Sequence, residues 1–471
     1  MSKPLLAAVI LVLLVFASGC ISQRGPNLNF SVTDSAGSKQ KEVTLSVTDP
    51  GGMPLKNASV YYEQVGQDFM YNAGEYWDSG ARELGTNTQG IYLDWEWGKL
   101  EPQDGVYDWS RLEATGIVDG SGGLVPGQAE HTFLRLGVIS TSAWIVGEKM
   151  DAFQETGYPE WIDKNNLTQV REEYLEFVPA LIGHLKFRPD FYMVEVEINA
   201  LGINAGMTNQ EIIGWLGQLT DKIKEADPGA KVSIVVTSSD LSPFMDEGRA
   251  KNIFLLEQDR YPLRVTDFLK KMEGVDYDMV SVFIQPFGWF SRGDSADAEK
   301  FIDSLCAFNK TVYIASASFL AKEPDVPEEL DPRPNGANAT GFVYYPNPQA
   351  SDEWQKEQTQ ELMDYAISSP CVAGIHWDMY DFVETGVGGK DVQVKLATGF
   401  TSGYRDANGE IVEGKKRLVY GSMKELWQGL FSEGTLPTGD DGKAAFIGLS
   451  GRYRIVVSHP GFGTKETTID V

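Results

Sequence analysis

The sequence predicts an α/β protein, a (β/α)8 barrel carrying a small β-sandwich formed from the N- and C-terminal segments. Three observations lead there. Phe191 to Ala200, FYMVEVEINA, alternates with Met193, Glu195 and Glu197 on one side and Val194 and Val196 on the other, the period of a strand. It is flanked by two stretches with the 3.6-residue helical period: Val170, Tyr174, Phe177, Leu181 and Leu185 before it, and Ile212, Trp215, Leu216, Leu219 and Ile223 after it. The strand-between-helices pattern recurs along the chain, as a parallel sheet requires, whereas the two ends carry only short alternating strands between Gly-rich turns.

From the N-terminus, residues 5 to 17 form an apolar run after a single Lys3 and end at Ser18-Gly19-Cys20. The run is short for a membrane span and matches a secretory leader. Small residues directly before a cysteine resemble a lipoprotein signal, which gives 1–19 as signal peptide, Cys20 as the lipidated residue and 20–42 as a lipid-anchored linker. An uncleaved anchor would leave the rest of the chain in the same compartment. The expected location is the outer face of the cytoplasmic membrane.

The sandwich is expected from 43–66 and 432–471. Its first half is two strands joined by Asp49-Pro-Gly-Gly52, and its second has strands at Ala444 to Ile447, Tyr453 to Ser458 and Glu466 to Val471. Neither half has enough strands to bury a face alone. Val47, Asp49, Gly52, Pro54, Leu55, Asn57, Ala58 and Val60, followed by Thr438, Asp441, Gly442, Ala444, Phe446, Leu449, Gly451, Tyr453 and Pro460-Gly461-Phe462, resemble one carboxypeptidase-regulatory-like sandwich split by an insertion.

The insertion, 67–431, has eight strand-like segments: Phe69 to Ala73, Ile91 to Trp97, Thr132 to Ile139, Tyr192 to Glu197, Lys231 to Thr237, Met279 to Gln285, Thr311 to Ala317 and Val372 to Tyr380. Helical stretches include Ala296 to Ala307, Trp354 to Ile367 and Ser422 to Leu430. Thr208 and Glu211 are spaced as a capping box. The Pro-rich stretch Ala321 to Asp352, with Phe342, Tyr344 and Tyr345, follows the seventh strand and is expected at the C-terminal face, where barrel enzymes bind substrate. Cys306 and Cys371 each precede a strand at what would be the same barrel end, so a disulfide and two buried thiols both stay open.

Charge narrows the partners. Lys+Arg 40 against Asp+Glu 67 gives a net charge of -27, which repels phosphate backbones and excludes nucleic acid as the expected partner. Four histidines without a Cys cluster argue against zinc, and no phosphate-binding glycine fingerprint or nucleophile elbow occurs. No cofactor is expected.

The barrel segment resembles glycoside hydrolase family 10 and its clan. Trp97-Gly-Lys-Leu-Glu-Pro-Gln-Asp-Gly-Val-Tyr-Asp-Trp109 is similar to that family's W-E-x-L-E-P-x-x-G-x-Y-D-W segment, and Met193 to Ala200 to the strand bearing the acid/base. Val280 to Gln285 resembles a strand ending in a substrate-contacting Gln, Gly374-Ile-His-Trp377 one ending in a sugar-stacking Trp, and Gly399 to Trp427 the last loop and helix. The resemblance implies a polysaccharide or glycan substrate, with Glu197 as general acid and Gln285 and Trp377 placing the sugar, and sets Trp97 and Asp94 beside them as candidate contacts.

The departures matter equally. Tyr313-Ile-Ala-Ser316 stands where the family has its nucleophile, and Val196 where it has an Asn. A retaining mechanism needs two carboxyls about 5 Å apart, an inverting one about 6.5 to 9.5 Å. Three readings stay open: Asp378, or next Glu96 with Asp94 on the same strand face, supplies the second carboxylate; Glu197 is a relic in a non-catalytic glycan-binding or surface-structural protein; or the acids hold a hard cation, for which no recognisable loop exists. Glu195 is expected to be a structural carboxylate paired with Arg135, Trp97, Trp109 and Trp144 to be packing residues in the plainer reading, and His376 an interior hydrogen-bonded residue.

Overall fold

A computed structural model describes residues 26–34, 40–73, 83–93, 96–125, 129–138, 157–196, 198, 207–237, 264–284, 294–322, 349–377, 382–385, 393–396, 399–402, 404–405, 411–412, 414–430 and 433–471. The chain divides into two compact units, 1–68 with 429–471, and 69–428.

In the first unit, β1 (Asn27–Asp34), β2 (Gln40–Thr48) and β3 (Ser59–Gln67) combine with β16 (Glu433–Pro437), β17 (Lys443–Leu449), β18 (Gly451–His459) and β19 (Gly463–Asp470). One antiparallel sheet has the order β1-β2-β17 and the other β16-β3-β18-β19, so each contains strands from both ends of the chain. Alternation puts Val43, Leu45, Val47, Val60, Phe446, Tyr453, Ile455 and Val457 into a single core between the sheets, with Tyr62 stacked on Phe446 at 3.9 Å. Thr438 ties the halves together: its hydroxyl donates to Leu55 O and accepts from Ala58 N–H. The stretch read as a linker contains β1, which pairs with β2 along its whole length; its Asn-Leu-Asn-Phe-Ser-Val alternation is a strand signal of the same kind.

The second unit is the barrel. Besides two short antiparallel pairs, β12 (Phe382–Thr385) with β13 (Gln393–Leu396) and β14 (Tyr404–Arg405) with β15 (Ile411–Val412), its barrel strands are β4 (Met70–Ala73), β5 (Thr88–Tyr92), β6 (His131–Leu136), β7 (Phe191–Val194), β8 (Val232–Thr237), β9 (Met279–Ile284), β10 (Thr311–Ala317) and β11 (Val372–Trp377). All seven paired neighbours are parallel, in the order β4-β11-β10-β9-β8-β7-β6-β5. The seam between β4 and β5 is closed differently. Asn87 Oδ1 accepts from Tyr71 N–H at 2.7 Å, Asn87 Nδ2 donates to Phe69 O at 3.0 Å, and Thr86 Oγ1 accepts from Ala73 N–H. Side chains there satisfy backbone groups that a ladder would otherwise pair.

Around the barrel stand α1 (Trp97–Leu100), α2 (Leu167–His184), α3 (Asn209–Ala226), α4 (Val265–Lys271), α5 (Ser295–Cys306), α6 (Asp352–Ser368) and α7 (Leu418–Leu430). The Thr208–Glu211 capping box forms at the start of α3. Cys306, at the end of α5, is joined to Cys371, just before β11, in a disulfide with Cα atoms 5.9 Å apart.

Two boundaries differ from the sequence reading. The second barrel strand ends at Tyr92, not Trp97: Glu96 stands at the N-cap of a one-turn helix opened by Trp97 and not in the strand, while Asp94 lies outside the described residues. The fourth ends at Val194, not Glu197, because Glu195 has a φ of 54°. That left-handed backbone ends the two-residue period at Glu195, and Glu197 lies outside the described residues.

Candidate functional site

The barrel interior is filled in its middle by Met70, Phe133, Phe191, Met193, Val235, Met279, Tyr313 and Ala315. Phe133 fits because its neighbour in register is Gly90: a Cβ there would sit 2.5 Å from the Phe133 ring. Gly374, the partner of Met70, is likewise glycine because a Cβ would collide with Met70 O.

One step toward the C-terminal ends of the strands, the interior turns polar. Asn72 and His376 are register partners two residues beyond Met70 and Gly374 and so face the same way. Tyr92 and Arg135 are the corresponding partners beyond Gly90 and Phe133, and the Arg135 guanidinium lies 4.4 Å from the centroid of the Tyr92 ring, a cation–π contact. These four residues sit on β11, β4, β5 and β6, a continuous arc. Asn72 is 1 % exposed and its Oδ1 has no hydrogen-bond partner among the described residues. Burial lowers the pKa of His376 to about 4, so its ring is neutral at pH 7.

Of the residues proposed from sequence, Asp94, Glu197, Gln285 and Asp378 lie outside the described residues, as do Cys20, Trp144 and the aromatics at 342, 344 and 345. Gln285 and Asp378 directly follow the last residues of β9 and β11 in the chain. Glu96 is described: Lys99 Nζ is 2.9 Å from its Oε1, while its buried Oε2 has no hydrogen-bond partner among the described residues.

The two tryptophans proposed as sugar contacts, Trp377 and Trp97, are core residues rather than open platforms. Trp377 is fully buried, with Phe319 and Phe400 packed on it. Trp97 is 1 % exposed, surrounded by Tyr158, Tyr174 and Phe177, and donates to Glu101 Oε2 at 2.7 Å. Glu101 also accepts from Gly105 N–H, so the glutamate of the Trp97–Trp109 segment holds that loop's shape; burial raises its pKa. Trp109 is stacked between Tyr107 and His184.

Glu195 is fully buried. Its Oε1 accepts from Trp215 Nε1 at 2.8 Å and from Val138 N–H at 3.0 Å. Gly137 leaves the space, since a Cβ there would come within 2.9 Å of Glu195 Oε2. The carboxylate is structural, as expected, and these two donors are an indole and a backbone amide. Asn72 and the Tyr92–Arg135 contact were missed as site features. The available signal was a polar side chain at an inward position of a short apolar strand, Met70-Tyr-Asn-Ala73.

No family model matches the chain, and no curated protein matches it. Solved structures resemble it distantly. A GH5_18 protein from Streptomyces cattleya in complex with GlcNAc is 12% identical with a TM-score of 0.46, over 77% of this chain and 81% of the other. Xylanase 10B from Thermotoga petrophila RKU-1 is 13% identical with a TM-score of 0.42, over 77% and 94%. An exo-beta-1,4-mannosidase from Opitutaceae bacterium strain TAV5 is 13% identical with a TM-score of 0.42 over 74% of this chain, which spans only 54% of that protein. Likeness at this level assigns no activity; the barrel stands on its own strand order.

Proposed function

We propose that this is an exported, lipid-anchored, glycoside-hydrolase-like protein of family 10 type, whose barrel takes a polysaccharide or glycan at its C-terminal mouth. Glu197 is the general acid, Asp378 the leading second carboxylate and Glu96 the next, with Gln285 and Asp94 in contact with sugar. Trp377 and Trp97 support the mouth from behind rather than stack on the ligand. The observation that carries this reading is the change from an apolar plug to the polar arc of Asn72, Tyr92, Arg135 and His376, on the side of the barrel where substrate sites of this architecture lie. Export through Cys20 agrees with the Cys306–Cys371 disulfide, since such bonds persist in oxidising compartments. The split sandwich then serves as a stalk of carboxypeptidase-regulatory type.

The test incubates the chain from residue 21 with a panel of polysaccharides and measures new reducing ends. Glu197→Gln is expected to lower release by about 100-fold or more; equal release by both proteins excludes Glu197 as the acid. A second reading, glycan binding without cleavage, is favoured by Ser316, a buried serine in β10 where a nucleophilic carboxylate would stand. It predicts binding to the same panel with no product.

A further inference from the structure

A buried acceptor without a donor is costly, about 1–3 kcal/mol, and native interiors rarely leave one unanswered. Asn72 Oδ1 is such an acceptor. Its register partner on the neighbouring strand is His376, which faces the same interior and retains partial exposure. A neutral imidazole carries one N–H donor and one bare acceptor nitrogen, and which is which is set by the hydrogen bond made by the other.

We propose that Asn72 and His376 form an uncharged hydrogen-bonding floor at the barrel mouth: Asn72 Oδ1 takes the imidazole N–H of His376 through one ordered water, which leaves the other ring nitrogen to accept a hydroxyl from a neutral sugar. His376 is the binding residue and Asn72 its positioning residue. The inference deepens the glycan reading above and rests on it. It names the ligand class as uncharged and hydroxylated, since a neutral imidazole nitrogen accepts a hydroxyl proton but offers no charge to a carboxylate. Burial that keeps His376 unprotonated at pH 7 agrees with this.

The experiment uses the chain from residue 21 and two readouts. With four histidines in the sequence, two-bond nitrogen–proton NMR resolves the tautomer of each. His376 is expected in one neutral tautomer at pH 7, and in a mixture of both in Asn72→Leu. Calorimetry then compares neutral xylo- and manno-oligosaccharides with uronic-acid oligosaccharides. The neutral ligands are expected to bind in preference, with affinity reduced about tenfold in Asn72→Leu and in His376→Phe, the cost of one hydrogen bond. A His376 that protonates between pH 6 and 7, or a tautomer unchanged in Asn72→Leu, overturns the floor even if His376→Phe fails to fold. Glycan binding indifferent to both substitutions overturns the floor and leaves the glycan reading standing. Failure of the unaltered protein to bind any glycan overturns that reading and the ligand class together.

Discussion

The carboxylate of Glu195 accepts the indole N–H of Trp215 at 2.8 Å, tying the end of β7 to α3. Because Val138 N–H meets the same oxygen, the end of β6 is held at the same point. Glu195→Ala leaves both donors buried and unpaired, so we expect a loss of about 2–5 kcal/mol in urea unfolding. Trp215→Phe removes one hydrogen bond to a charged group and is expected to cost about 1.5–3 kcal/mol. A neutral result for Glu195→Ala would show that the carboxylate does not fasten these strand ends.

Asn87 makes the second prediction. It accepts from Tyr71 N–H and donates to Phe69 O across the β4–β5 seam. Asn87→Ala strands the buried Tyr71 N–H and removes the donor to Phe69 O, and should cost about 2–4 kcal/mol. Asn87→Asp keeps the acceptor but loses the donor to Phe69 O, so it is expected to fall between the two. Amide hydrogen exchange at Tyr71 reads the seam directly, and unchanged protection in Asn87→Ala would refute the role.

Acid stability should show two separate limbs. Burial depresses the pKa of His376 from 6.5 to about 4, so the folded state binds fewer protons than the unfolded state in between. Its contribution is present above pH 6.5 and lost as pH falls toward 4, on the order of 3 kcal/mol. His376→Gln should flatten that limb. Glu83, bonded by Lys416, Lys424 and Tyr420, is held at about 2 against an ordinary 4.5. Its contribution is present above pH 4.5 and lost as pH falls through 2, and Glu83→Gln should remove only that lower limb. Denaturant titrations at stepped pH separate the two.

The disulfide closes a sequence separation of 65, for which chain-entropy arguments give about 4 kcal/mol. The double substitution Cys306→Ser with Cys371→Ser is expected to lower the unfolding free energy by up to that amount, and reductant should then have no further effect. A reductant effect that persists in the double variant would show that this bond is not the one responsible.

Much of the architecture was legible because burial imposes periods. Phe191, Met193 and Val194 mark a strand between two helices whose apolar faces recur at 3.6, and the observed segments lie where those periods put them. Boundaries were lost where local geometry overrides the period. Trp97 reads as the end of a strand because it is aromatic and apolar, yet it begins a helix with Glu96 as cap. Glu195 reads as an alternating residue, but its left-handed φ turns the chain, a conformation rare outside Gly, Asn and Asp that no pattern announces. The polar arc was harder still, since Asn72 and His376 stand near opposite ends of the barrel segment and become register partners only through barrel closure.

The mixed strand order of the two terminal sheets has a consequence for biosynthesis. β2 leaves the ribosome early, but its edge neighbour β17 and strand β18 of the facing sheet are made almost last, so the apolar face with Val43, Leu45 and Val47 stays incompletely covered until synthesis ends. A long-range pairing of this kind is slow and exposes sticky edges in the interim. The nascent chain therefore has reason to depend on holding factors until translation ends, and a fragment stopped short of β17 would carry that uncovered face permanently.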